Sequence, residues 1–470
     1  MLFTTGKYWL FLTIVFFLYW SVARRRSPRV AVILLASYYF YALWNPAFIP
    51  LLFGLSTIDF LTARGISLTT RPRLRRALLI TSTLTDVGTL IVFKYFNFFS
   101  TSTTALLELL DVQTRSFLIE DLVIPLGLSF LTFRSLSYVI DVYRKTMPAT
   151  DRYFDYLAFV AFFPTLIAGP VVRAKELLPQ FSQPKMENEQ GVEAIFLILV
   201  GLVKKVAIAD MIGMNLVDRV FDQPQLYSSL ETLVAIYGYA LQIYCDFSGY
   251  SDIAIGSAML LGFKLPDNFN SPYRAQNLRD FWKRWHITLS NWLFDYVYIS
   301  IGGLRKRRFN LYRNLFLTFL IGGLWHGASW TFVMWGAMHG LGLSVTHWWS
   351  GRRTHKPSQS YWPKVVATVA TFHFVCLTWI VFRSQDLSQA IAVLKRLTTF
   401  QFSTSNLPTS LLLLLILGFA SHFIPTRATT RLREAWRWLP APAQAVVVLS
   451  IAFCLYYVSG AEVQFIYGNF

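Results

Sequence analysis

Two histidines in this chain stand where an imidazole could move a proton. His326 sits in the run Leu324-Trp325-His326-Gly327-Ala328-Ser329-Trp330, between apolar segments. A neutral imidazole can take a proton from a hydroxyl or thiol near neutral pH. Gly322, Gly323 and Gly327 let backbone or a ligand approach closely. The run is equally compatible with a structural histidine hydrogen-bonded between helices. His286 lies in Arg279-Asp280-Phe281-Trp282-Lys283-Arg284-Trp285-His286-Ile287-Thr288-Leu289-Ser290-Asn291-Trp292. If that run is helical, Trp282, Trp285, His286 and Leu289 share one face and Lys283 and Arg284 another. Such a helix suits a plain anchor at a membrane interface. It also suits the wall of a substrate chamber, with cations for the phosphates of an acyl carrier.

A third cluster, Tyr244-Cys245-Asp246-Phe247-Ser248-Gly249-Tyr250-Ser251-Asp252, carries two carboxylates among hydroxyls. A buried carboxylate needs a partner, and Arg279 or Arg284 could supply it. Asp246 and Asp252, with Ser248 and Tyr250, then read as structural supports. Too few ligands cluster for a metal site. The segments 124–127 and 163–173 hold Pro125, Gly127, Pro164, Gly169 and Pro170 in apolar surroundings. Broken backbone at membrane depth lines a cavity or marks a kink.

The elements that must position these groups lie in a bilayer. Of 470 residues, 54% are hydrophobic and 14% charged, against about 25% charged in soluble domains. Apolar stretches recur from end to end, so a single membrane domain over 1–470 is expected, all-α and polytopic. Spans at 8–22, 30–44, 48–61, 78–99 and 122–142 alternate with Arg-rich runs at 24–29, 64–76 and 143–145. The positive-inside rule then puts the N-terminus outside the cytoplasm. The first segment reads as a retained helix, because its charges follow the apolar run. The stretch 156–172 reads as re-entrant, and 278–300 as interfacial. Further segments at 194–212, 230–263, 315–325, 329–347, 365–381, 411–423 and 445–457 bring the total to roughly ten to twelve. The net charge of +18 fits cytoplasmic loops and anionic lipid headgroups, not a nucleic-acid partner. Cys245, Cys376 and Cys454 lie in apolar stretches, so neither a structural disulfide nor a cysteine nucleophile is expected.

Taken together, the blocks at 124–144, 159–181, 244–273, 278–303 and 314–340 resemble the membrane-bound O-acyltransferase family, in particular its bacterial polysaccharide O-acetyltransferase branch, which includes the membrane subunit of alginate O-acetylation. The blocks include IPLGLSFLTFRSLSYVIDVYR, LRDFWKRWHITLSNWLFDYVYISIGG and NLFLTFLIGGLWHGASWTFVMWGAMHG. The resemblance implies a ring of helices around a central funnel, with 124–340 as the catalytic core. It implies that His326 is catalytic, with His286 as the second histidine. The donor it implies is cytosolic acetyl-CoA, with no tightly bound cofactor and no metal. On the donor side it points to Arg279, Lys283, Arg284 and Asn291, the indoles of Trp282, Trp285 and Trp325, and the basic run Arg305, Lys306, Arg307, Arg308. The partner it implies is a periplasmic protein, often of SGNH-hydrolase type, that completes modification of an exopolysaccharide; the setting is the bacterial inner membrane. Ser300 stands where relatives often carry proline, and Gly468 where a bulky aromatic is common. Peptidoglycan O-acetylation and teichoic-acid D-alanylation remain open as alternatives, and more distantly a transporter or flippase.

Overall fold

The computed structural model describes residues 2–112, 114–120, 122–182, 188–303, 308–352, 360–458 and 466. Every regular element among them is a helix. Two compact units make up the chain, and they are interleaved in sequence. The first comprises Met1–Met186 and Ser257–Pro266, the second Glu187–Gly256 and Asp267–Phe470.

By length and composition, four helices among the described residues can cross a membrane: Pro46–Leu68, Pro72–Glu108, Tyr361–Arg383 and Ala441–Val458. A fifth crossing is possible if the pair Thr409–His422 and Arg427–Trp438, bent by 95°, counts as one span. Of the other apolar segments, those at 230–263 and 329–347 lie in long helices of 32 and 23 residues, Ser229–Leu260 and Trp330–Arg352, and others are short or interrupted. The first helix, Gly6–Ser21, has 16 residues. The segment around Lys204 and Lys205 is a π-helix, Val203–Asp210.

In the first unit, the segment expected to be re-entrant is indeed broken. Helix Tyr153–Val160 stops, a 3₁₀ turn Phe163–Thr165 follows, and irregular backbone continues to Arg173, all of it buried. Buried carbonyls outside a helix need donors. Arg134, itself 1% exposed, supplies them from helix Leu128–Tyr143. Its guanidinium donates to the Val160 carbonyl at 2.8 Å and to the carbonyl and Oγ1 of Thr165. The planar fork of arginine suits such a divided task.

The 32-residue helix Ser229–Leu260, which passes from the second unit into the first at Ser257, begins at a reciprocal cap written in the sequence as Ser-x-x-Glu. The Ser228 N–H donates to a carboxylate oxygen of Glu231 at 2.8 Å. The Glu231 N–H donates to Ser228 Oγ at 3.1 Å. This pairing satisfies two donors that the first turn leaves open. Helices Arg308–His326 and Trp330–Arg352 form a hairpin. A Cβ at Gly323 would collide with the Phe332 carbonyl, and one at Gly336 with the Phe319 carbonyl. Only glycine at both positions allows this backbone approach, a common device where lipid gives no hydrophobic push between helices.

Candidate active site

His326 is the last residue of helix Arg308–His326, so the hairpin turn fixes its position. Its imidazole is 4% exposed and walled by rings. Trp335 stands edge-on at 5.0 Å, Phe382 edge-on at 5.3 Å and Trp325 at 5.0 Å. Phe332 closes on Phe382 at 5.0 Å. Three segments thus build one aromatic enclosure: the two hairpin helices and Tyr361–Arg383.

The run around His286 does not form the single helix that its spacing suggests. Leu278–Trp282 is a short helix capped by Asn277, whose side chain accepts from the Asp280 N–H. A second helix, Ile287–Trp292, starts after a break. His286 itself takes a left-handed backbone conformation, φ +42°, which costs a non-glycine residue about 1–2 kcal/mol. The expected shared face is therefore corrected: Trp282, Trp285, His286 and Leu289 come from two helices and the turn between them. They are also not an interfacial anchor, since all four are buried. Trp285 stacks on Phe281 at 5.7 Å and lies 5.0 Å from Trp379. Trp282 packs against Trp335 and His339.

The turn is held from Asn268. Asn268 Oδ1 lies 3.0 Å from His286 Nδ1 and accepts from Thr288 Oγ1 at 2.8 Å. The Asn268 carbonyl accepts from the Ile287 N–H at 3.0 Å. The His286 ring is fully buried, with Phe247 edge-on at 4.6 Å. Burial pushes its imidazole down to about 3, so it is neutral near pH 7. The Trp325 ring lies 6.3 Å from that of His286 and 5.0 Å from that of His326. The two histidines named from the sequence are thus brought to one indole.

The carboxylate cluster has partners other than those expected. Asp246 pairs with Lys205 at 2.6 Å and Asp252 with Lys204 at 2.7 Å. Lys205 also reaches Asp210 at 2.6 Å. Arg284 instead pairs with Asp280 at 2.8 Å, and Arg279 bonds the His347 ring at 2.7 Å. The two adjacent lysines sit on the π-helix Val203–Asp210 and reach two carboxylates six residues apart on Ser229–Leu260. Ser248 and Tyr250 are buried on that same long helix. Arg279, Lys283 and Asn291 are exposed and Arg284 half-buried. Of the basic run, Arg305, Lys306 and Arg307 lie outside the described residues, as does the Arg308 side chain. Ser300 donates to the Tyr296 carbonyl; Gly468 lies outside the described residues.

Sequence reasoning missed Asn268, Trp335, His339 and Phe382. His339 is buried, receives the Trp282 indole N–H at 3.3 Å on Nδ1 and faces Thr378 Oγ1 at 3.0 Å with Nε2. Both its nitrogens are used, which marks it as a packing histidine. Among the described residues no three His, Cys, Asp or Glu side chains gather as metal ligands would.

Residues 148–383 match the family model for membrane-bound O-acyltransferases. The chain is similar to a peptidoglycan O-acetyltransferase of Helicobacter pylori, 38% identical over 392 residues, 77% of this chain and 72% of that protein. It is similar to the probable alginate O-acetylase AlgI of Pseudomonas aeruginosa, 39% identical over 399 residues, 83% and 73% of the two chains. A teichoic acid D-alanyltransferase of Bacillus subtilis is 28% identical over 279 residues, 56% and 69%. With both histidines inside or beside one aromatic enclosure and the family match running through them, this all-helical membrane protein belongs to the membrane-bound O-acyltransferase family and is an O-acyltransferase.

Proposed function

We propose that this enzyme moves an acetyl group from cytosolic acetyl-CoA across the bacterial inner membrane for O-acetylation of an extracytoplasmic polysaccharide. The names of the peptidoglycan and alginate relatives support acetyl as the group and a polymer as the acceptor. The observation that carries the reading is the placement of both His286 and His326 next to the Trp325 indole, at 6.3 and 5.0 Å. In transfer, the thioester C–S bond breaks and a C–O bond forms to a hydroxyl of the acceptor. The hydroxyl proton leaves for His326, acting as general base, and passes to the departing thiolate. Alternatively His326 first takes the acetyl group itself and the hydroxyl displaces it. His286 orients the acceptor or steadies the oxyanion. Arg279, Lys283 and Arg284 meet the phosphates of the donor, with Asn291 and the indoles of Trp282, Trp285 and Trp325 along its path. A periplasmic partner of SGNH-hydrolase type finishes the modification.

The test is reconstitution in liposomes with acetyl-labelled CoA and an added polysaccharide, comparing wild type with His326→Ala. Consumption of thioester by wild type alone supports the reading. If neither protein consumes it but a carrier-bound D-alanyl donor is used, the donor assignment fails and the reaction resembles the teichoic-acid relatives. Label appearing on peptidoglycan and not on an exopolysaccharide moves the acceptor to that polymer.

A further inference from the structure

The oxygen and nitrogen of the Asn268 side chain can be told apart by what surrounds them. The Thr288 backbone N–H points at one atom of the amide, at 3.4 Å. A backbone N–H can only donate, so that atom is the oxygen. The other amide atom donates to Ser251 Oγ at 3.2 Å. With Oδ1 fixed as an acceptor, the His286 nitrogen 3.0 Å away must carry a hydrogen. A neutral imidazole carries only one. Nε2 is then bare. It is buried and has no hydrogen-bond partner among the described residues. Asn268, Ser251 and Thr288 are all buried too, so water does not compete for the clamp. The contrast with His339 is instructive. There the Trp282 N–H lands on Nδ1, which puts the hydrogen on Nε2, and both nitrogens are spent inside the protein.

We infer that Asn268 is a positioning residue that locks His286 as its Nδ1–H tautomer, so that Nε2 receives a hydrogen bond from a hydroxyl of the acyl acceptor other than the one that is acylated. A lone pair at Nε2 repels a developing oxyanion. Of the two roles considered for His286 above, holding the acceptor remains and steadying the oxyanion falls away. His286 holds this contact from a left-handed backbone conformation, one ring nitrogen meeting Asn268. This role for His286 rests on the acyl-transfer reading; the tautomer does not.

The test pairs a spectroscopic with a kinetic measurement on the full chain in nanodiscs. Protein labelled with ¹⁵N-histidine is examined by solid-state NMR, the His286 signals being those lost in His286→Gln. Wild type is expected to show a protonated Nδ1 coupled to the Asn268 side chain and an unprotonated Nε2. Asn268→Asp keeps an acceptor oxygen toward Nδ1 and is expected to keep both the tautomer and transfer within a few-fold. Asn268→Leu removes it, and is expected to mix the tautomers and lower kcat/KM for the acceptor by about 10²-fold, as misplacement of a substrate-holding group does. The KM for the donor should stay unchanged. A hydrogen on Nε2 in wild type overturns the inference, and so does an Asn268→Leu enzyme with wild-type acceptor kinetics. Should Asn268→Leu fail to fold, the wild-type spectrum and the Asn268→Asp kinetics still decide. Wild-type protein that transfers no acyl group from any donor would sink the proposed function, while the spectrum would still report the tautomer.

Discussion

Lys205 Nζ lies 2.6 Å from a carboxylate oxygen of Asp246, and both side chains are 1% exposed. A second carboxylate, Asp210, shares the same ammonium group. Removing the cation alone leaves two buried carboxylates uncompensated, which costs about 3–5 kcal/mol for a pair of this kind. Lys205→Met is therefore expected to lower the melting temperature sharply and reduce accumulation in the membrane. The triple variant Lys205→Met, Asp210→Leu, Asp246→Leu is expected to recover most of that loss, because no buried charge remains. Thermal unfolding in detergent, followed by fluorescence, reads both. A triple variant as unstable as Lys205→Met would show that the cluster holds more than its own charges.

His326→Gln keeps a polar side chain of similar reach in the aromatic enclosure but cannot act as a base or a nucleophile. Transfer should fall by about 10²–10⁴-fold with the melting temperature nearly unchanged. Steady-state assay of thioester consumption beside a melting curve checks this. Equal loss of activity and of folded protein would mean that His326 serves packing.

The hairpin that carries His326 depends on Gly336. Gly336→Ala places a methyl group against the Phe319 carbonyl and must push the two helices apart. Overpacking of this kind costs about 1–3 kcal/mol. Because the shift displaces the last turn of helix Arg308–His326, activity is expected to fall further than stability does. Gly88→Ala, where no atom lies within 4 Å of the added carbon, is the matched control and should behave as wild type.

Acid should destabilise the protein in part through His286. Its folded-state pKa of about 3 lies below the ordinary value of 6.5. Between these limits the unfolded chain binds a proton that the folded chain does not, so stability falls as pH drops from about 6.5 and is fully present above it. His286→Asn removes that proton uptake, and asparagine tolerates the left-handed backbone. Between pH 7 and pH 5 the melting temperature of wild type is therefore expected to fall more than that of His286→Asn. Parallel decline in both would show that His286 is not held neutral by burial.

Much of this site could be read from residue order, and the parts that could not share one cause. The helix start at Ser228 and the breaks around Pro164 and Gly169 are local matters, and local chemistry announces them. The short helices flanking His286 were hidden because apolar spacing across 279–292 fits an unbroken helix equally well. What breaks it is Asn268, eighteen positions upstream, and nothing in Pro-Asp-Asn-Phe-Asn tells which asparagine turns inward. The carboxylate partners were misjudged for a similar reason. Adjacent Lys204 and Lys205 lie on a π-helix and serve Asp252 and Asp246 of one neighbouring helix, a pairing that residue spacing does not announce. Charge type was visible; pairing across the fold was not.

The segment Ser257–Pro266 belongs to the first unit although seventy residues of the second, 187–256, come before it in the chain. Tyr8 donates to Ser257 Oγ at 2.8 Å, the Trp20 indole to the Leu260 carbonyl at 3.0 Å, and Phe162 packs on Phe263 at 5.0 Å. During synthesis, the N-terminal helices must therefore wait in the lipid, incompletely packed, until residue 266 has left the ribosome. At ordinary elongation rates of about 5–20 residues per second, that wait lasts several seconds, the interval in which an insertion chaperone has something to hold.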